Sequence, residues 1–127
     1  MAFLIDTHIF IAIAKEQKAD LPKSVQTLLE DNDADFILSA VSIWEIGIKV
    51  RLGKLDAGIE LSEIVSFCAE AGIMVLPVTA VHATQPVEPE PYTRDPFDRM
   101  LLAQCAAENL RLVTIDRALA EHPLAAR

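Results

Sequence analysis

Short uninterrupted apolar runs alternate along the chain with longer stretches whose apolar residues recur every three or four positions. The runs predict strands at Ala2–Ile5, Phe36–Ser39, Ile73–Leu76 and Leu112–Thr114. The periodic stretches predict helices at Thr7–Lys15, Pro22–Glu30, Ala40–Leu52, Leu61–Ala71, Thr79–Thr84 and Pro96–Asn109, with one more short helix and a tail over Ala118–Arg127. Strands alternating with helices imply an α/β domain with a mostly parallel sheet, and 127 residues fit one domain, 1–127. Four of the seven prolines fall between Pro86 and Pro96. That segment is expected to be a surface loop leading into a helix with Pro96 in its first turn.

Against this frame four acids stand out. Asp6 ends the first strand and Asp116 follows the fourth, so both are expected at the carboxyl ends of the strands, where open α/β sheets form their ligand crevice. Asp98 begins a helix that runs back before the fourth strand. The helix from Asp98 to Asn109 descends about 17 Å, and the chain from Arg111 to Asp116 climbs about 17 Å, which returns the two acids to one level. Glu45 lies about 7 Å into the helix after the second strand. At about 100° per residue it falls within the stripe Val41–Ile48–Leu52, as Asp98 falls in line with Leu101, Leu102 and Cys105. Acids centred on core-facing stripes are costly to bury without a partner. Each has a simpler reading: Asp6 and Asp116 as helix N-caps, Asp98 as an acid facing the helix dipole, Glu45 as a mate for Lys49, which the wheel sets to the side. Four together at one sheet edge suggest a shared cation. Carboxylates without His or Cys suit Mg²⁺ or Mn²⁺, which activate water for displacement at phosphorus.

Composition narrows the class. Apolar residues make up 52% of the chain and mean hydropathy is +0.31, which excludes disorder. Eleven basic against nineteen acidic residues leave a net charge of −8, which excludes a broad basic face for duplex DNA. A bound cation can still invert the field at a site. Cys68 and Cys105 match no metal or redox spacing and read as buried thiols in a reducing compartment. Met1–Asp6 lacks the basic region of a signal peptide, and Ala71–Val87 is broken by prolines and His82, so no membrane span and a cytoplasmic location are expected.

The segments LIDTHIF (Leu4–Phe10), SIWEIGIKVRLGKL (Ser42–Leu55), RDPFDRMLLAQ (Arg94–Gln104) and LVTID (Leu112–Asp116) occur in an order that resembles PIN-domain proteins, in particular the VapC-type toxins of toxin–antitoxin pairs. The resemblance implies a PIN-like three-layer α/β/α fold with a mostly parallel sheet of four to five strands. It implies a Mg²⁺- or Mn²⁺-dependent endoribonuclease, a homodimer, and a cognate antitoxin as partner. Asp6, Glu45, Asp98 and Asp116 then become the catalytic, metal-holding quartet. Asp95 and Thr114 become supports of that site, and Thr7 either joins them or caps the first helix, capping being the expected role. The chain departs from the pattern after the last acid: Ala118–Arg127 has little β-forming character, so a fifth strand is expected to be short or absent.

Lys49, Arg51, Arg94 and Arg99 are the candidate contacts for RNA phosphates, with solvated surface as the competing reading. Trp44 is expected to pack as core beside Val41 and Ile48 rather than to stack on a base. A second stripe, Ile43, Ile46 and Val50, is either buried or covered by a partner. The rival functions are a haloacid-dehalogenase-type phosphatase, a Mg²⁺-binding receiver module and a catalytically silent PIN-like binding module. The phosphatase wants an acid two residues after Asp6, where His8 stands. The receiver wants paired acids after the first strand and a lysine after the last, and neither is found.

Overall fold

The computed structural model describes residues 1–126; Arg127, the last residue of the expected tail, lies outside them. Four parallel strands, β1 (Ala2–Ile5), β2 (Asp35–Ser39), β3 (Met74–Leu76) and β4 (Arg111–Val113), form a sheet in the order β3-β2-β1-β4. Ile5 pairs with Leu38 on one side and Val113 on the other, so the carboxyl ends of β2, β1 and β4 lie level. The chain steps outward from β1 to β3 and then crosses to β4 on the far side of β1. Strand order reverses between β1 and β4, the position where such sheets open a crevice.

Side chains alternate across the sheet. Phe3 and Ile5 enter one core with Leu38 and Val113, covered by α1 (Thr7–Ala14), α2 (Lys23–Leu29) and α4 (Ile64–Ala71). Leu4 and Leu112 enter the other, covered by α6 (Pro96–Glu108) and α7 (Arg117–Ala120). Between them α3 (Ala40–Arg51) gives Ile46 to the first core and Val41 to the second. The short α5 (Ala80–Thr84) packs on α6. Leu4, Ile5, Leu38, Leu102 and Leu112 are fully buried, each contributing about 1.5–3 kcal/mol of transfer free energy. The result is the expected three-layer α/β/α arrangement.

The elements follow the periodicity closely, with local differences. A single 3₁₀ turn (Leu61–Glu63) precedes α4 where one continuous helix is expected, and α6 ends at Glu108 because Asn109 takes the left-handed conformation. The tail meets β4 through one parallel bridge, Leu112 to Ala125, and adds no fifth strand among the described residues. The stripe Ile43–Ile46–Val50 is packed into the first core. Trp44, expected in the core, is 63% exposed, and Leu52 is exposed too because it caps α3 instead of continuing it. Both cysteines are free and buried, and burial pushes the Cys105 thiol up to about 12. Among the described residues no helix is long and apolar enough to cross a membrane.

Candidate active site

Asp6, Asp116 and Asp95 are delivered by helix-capping turns whose own hydrogen bonds fix them, and Asp98 and Glu45 by the helices themselves. Asp6 leaves β1 and caps α1, its Oδ1 accepting the Ile9 N–H at 3.0 Å. Asp116 follows β4 and caps α7, accepting the Ala118 N–H at 2.8 Å. Asp95 caps α6 through the Phe97 N–H at 2.8 Å, with Pro96 in the first turn as expected. Asp98 sits in that first turn. Glu45 lies on the buried side of α3 and is only 6% exposed. Asp6, Glu45, Asp98 and Asp116 line one small pocket of about 50 Å³, joined by Thr7, His8, Lys49 and Asp95. Capping and convergence are therefore both true of the strand-end acids: the cap is what aims them.

Threonine hydroxyls hold three of the acids. Thr114 donates to Asp6 Oδ2 and accepts the Asp116 N–H at 3.0 Å. Thr93 donates to Asp98 Oδ2 at 3.3 Å and accepts the Asp95 N–H at 3.2 Å. The same Thr-X-Asp turn is used twice, each time tying two acids together. Thr7 does not cap α1, since Asp6 does. Its hydroxyl donates to Glu45 Oε1 at 2.7 Å and lies 3.0 Å from Ser42 Oγ. A hydroxyl has one proton, so the shorter contact takes it and Ser42 donates to Thr7. The other Glu45 oxygen meets Lys49 Nζ at 2.6 Å, the pairing the helical wheel disfavours. Ser42 and Thr93 escape a search for acids. Their signals are the i,i+3 spacing of Ser42 to Glu45 and the Thr-X-Asp pattern shared by TRD and TID.

Crowded carboxylates raise one another's pKa. Asp98 is pushed up to about 6, first by burial and then by the charges of Asp95, Asp116 and Glu45, against the opposing hydrogen bond from Thr93. Asp6 is also raised, first by burial, with Asp116 adding to it and Thr114, Ile9 N–H and His8 working against it. Among the described residues no three His, Cys, Asp or Glu side chains are drawn together as a finished metal cage. The donor set is otherwise suited to a hard divalent cation: carboxylate and hydroxyl oxygens, no cysteine, His8 at the rim, and an excess of negative charge that a cation relieves.

The candidate cations are placed differently. Lys49 lines the pocket and binds Glu45. Arg99 turns away into the proline-rich loop, reaching Glu90 at 2.6 Å and the Thr93 carbonyl at 2.8 Å. Arg94 and Arg51 are exposed. His82 and His122 are buried away from the pocket, where His82 meets Gln104 and His122 meets the Pro89 carbonyl.

Residues 3–123 match the PIN domain family. The chain belongs to that family, whose members are generally nucleases, which makes its class a hydrolase acting on nucleic acid. In sequence it matches no curated protein. Its fold is similar to a chain in the crystal structure of VapBC2 from Rickettsia felis bound to a DNA fragment from their promoter, with a TM-score of 0.65, 14% identity, and 98% of this chain and 96% of that chain covered. At that identity the likeness is one of fold.

Proposed function

We propose that this PIN domain is a Mg²⁺- or Mn²⁺-dependent endoribonuclease and the toxin half of a toxin–antitoxin pair, with Asp6, Glu45, Asp98 and Asp116 as its working acids. The observation that carries the reading is that these four side chains, drawn from four separate segments, line one pocket at the carboxyl ends of the strands. The toxin role rests on the likeness to the VapBC2 chain and on the order of motifs.

A divalent cation held by these acids supplies Lewis acidity, lowering the pKa of water and offsetting charge that builds on phosphate oxygens. The chain's own residues do the rest. Thr114, Thr7 and Thr93 fix the orientation of Asp6, Glu45 and Asp98. Each ionised carboxylate has about four lone-pair sites, so acceptor capacity remains after these bonds. Lys49 holds Glu45 and keeps a positive charge at the pocket, available to a phosphate oxygen. Arg94 and Arg51 are the exposed cations along the approach. The resemblance implies a cognate antitoxin, expected to present basic or apolar residues to this acidic domain, and a homodimer.

The test is incubation of the purified chain with mixed RNA and Mg²⁺ or Mn²⁺, with EDTA and Asp6→Asn as controls. Metal-dependent cleavage lost in the variant supports the reading. Intact RNA with released inorganic phosphate from phosphoesters points to the phosphatase, and intact RNA with no turnover points to a silent binding module.

A further inference from the structure

The solvent side of α3 carries a pairing that the acidic pocket does not use. Val41, Ser42, Glu45 and Ile46 face inward. Trp44 and Arg51, seven residues apart, return to within roughly 20° of each other around the helix, with Gly47 between them. Trp44 is 63% exposed. Its aromatic neighbour is Phe97, whose ring lies 5.8 Å away at 67° and steadies the indole without covering it. Arg51 folds back over Gly47: a methyl group on the glycine Cα would stand 3.1 Å from Nη1 and 3.7 Å from Cζ. With Ala40, Ile43 and Leu61 these residues bound a groove of about 370 Å³.

Two features point to what fits there. Arg51 makes no ion pair among the described residues, in a chain with nineteen acids and a net charge of −8. An unpaired planar cation laid over a glycine beside an exposed indole suits a ligand that is both flat and anionic. Groove and acidic pocket share no lining residue among those described, but are built on the same two helices: Trp44 immediately precedes Glu45 on α3, and its ring partner Phe97 immediately precedes Asp98 on α6.

We propose that Trp44 and Arg51 form a subsite for one unpaired nucleobase and its phosphate, the base stacking on the indole and the phosphate meeting the guanidinium. This rests on the nuclease reading and deepens it: the nucleotide held in this groove is free of its pair, because a duplex keeps its base faces stacked. A second copy of the chain is the rival occupant of an exposed tryptophan. A symmetric contact centred on this groove would bring the two Arg51 guanidiniums together, like charge against like, which favours the nucleotide.

Trp44 is the only tryptophan in the chain, so selectively excited tryptophan emission reports this site alone. The experiment titrates the metal-free protein in EDTA with a short single-stranded oligoribonucleotide, the same strand in a duplex, and a strand of abasic residues. Saturable quenching by the single strand alone is expected. In anisotropy with labelled RNA, Trp44→Ala and Arg51→Gln should each weaken binding by roughly tenfold or more, while Trp44→Phe retains most of it. In cleavage with Mn²⁺, Trp44→Ala should raise KM more than it lowers kcat, and circular dichroism should show the variant folded. Equal quenching by duplex, or unchanged binding in both variants, overturns the subsite. So does emission that shifts with protein concentration without RNA together with loss of a dimer in Trp44→Ala, which assigns the face to a second copy. Quenching without any cleavage by the metal-loaded protein sinks the nuclease reading and leaves the subsite standing. Cleavage at wild-type kcat/KM by both variants sinks the subsite alone.

Discussion

Thr114 donates its hydroxyl hydrogen bond to Asp6 although 108 residues of chain separate them. The contact spans β4 and β1, the neighbouring strands between which the strand order reverses, and it reaches an acid that is only 3% exposed. It bears on stability and on the site at once. Removing a donor from a buried acceptor costs about 1–3 kcal/mol. Thr114→Val keeps the shape and loses the hydroxyl, so it should lower the unfolding free energy by that amount, read as a fall in the urea midpoint. It should also weaken Mn²⁺ binding measured by calorimetry. An unchanged midpoint would mean that Asp6 does not depend on Thr114.

The acids set an unusual pH dependence for the metal-free chain. Asp98 ionises near 3.8 when unfolded and near 6 when folded. Between those values the folded state holds the extra proton, so stability falls as pH rises. The contribution is complete below about pH 4 and gone above about pH 6. Asp98→Asn mimics the protonated form at every pH. Its melting temperature in EDTA should therefore exceed that of the wild type by an amount that grows from pH 4 to pH 6 and then levels. A constant difference would show that Asp98 is not raised.

Most of this site is visible in the sequence, and for physical reasons. Strand ends and a descending helix obey fixed rises per residue, so Asp6, Asp98 and Asp116 could be brought to one level by arithmetic, and they line one pocket. Trp44 could not be placed that way. The wheel centred on Val41, Ile48 and Leu52 assumes that Leu52 belongs to the buried face, whereas it caps the helix in solvent. The true buried face includes Ser42 and Ile46 and leaves Trp44 outside. Lys49 was set to one side by the same wheel, but its long side chain reaches back to Glu45. Side-chain length and hydroxyl partners are invisible to periodicity.

Lys49 also competes with any cation for the pocket. Its ammonium sits 2.6 Å from Glu45 Oε2, with the lysine 38% exposed. Lys49→Met leaves the buried Glu45 carboxylate with Thr7 as its remaining hydrogen-bond partner among the described residues, so metal-free stability should fall by about 1–3 kcal/mol. Mn²⁺ binding should tighten several-fold, because one like charge has left a crowded site. RNA binding in EDTA should weaken. Calorimetry and anisotropy read the two effects separately. Weaker Mn²⁺ binding would instead make Lys49 an organiser of Glu45.

Arg99 governs the proline-rich loop that carries Thr93 to Asp98. Its guanidinium reaches Glu90 at 2.6 Å, the Pro91 carbonyl at 3.3 Å and the Thr93 carbonyl at 2.8 Å. A fork of fixed donors serves three acceptors at once, which a lysine ammonium on a flexible stem does not reproduce. Since Arg99 and Glu90 are both substantially exposed, with side-chain exposures of 41% and 73%, their ion pair adds little to global stability. The loop should respond far more than the fold. Arg99→Lys should leave the melting temperature nearly unchanged, increase proteolytic cleavage between Gln85 and Asp95, and lower RNA cleavage several-fold through the loosened Thr93–Asp98 bond. Thr93→Val should reproduce the loss of cleavage without the proteolysis, because it removes the hydroxyl and keeps the clamp. If Arg99→Lys and Thr93→Val behave alike in both assays, the clamp and the hydroxyl act as one unit. If Arg99→Lys cleaves RNA as the wild type does, the loop does not position Asp98.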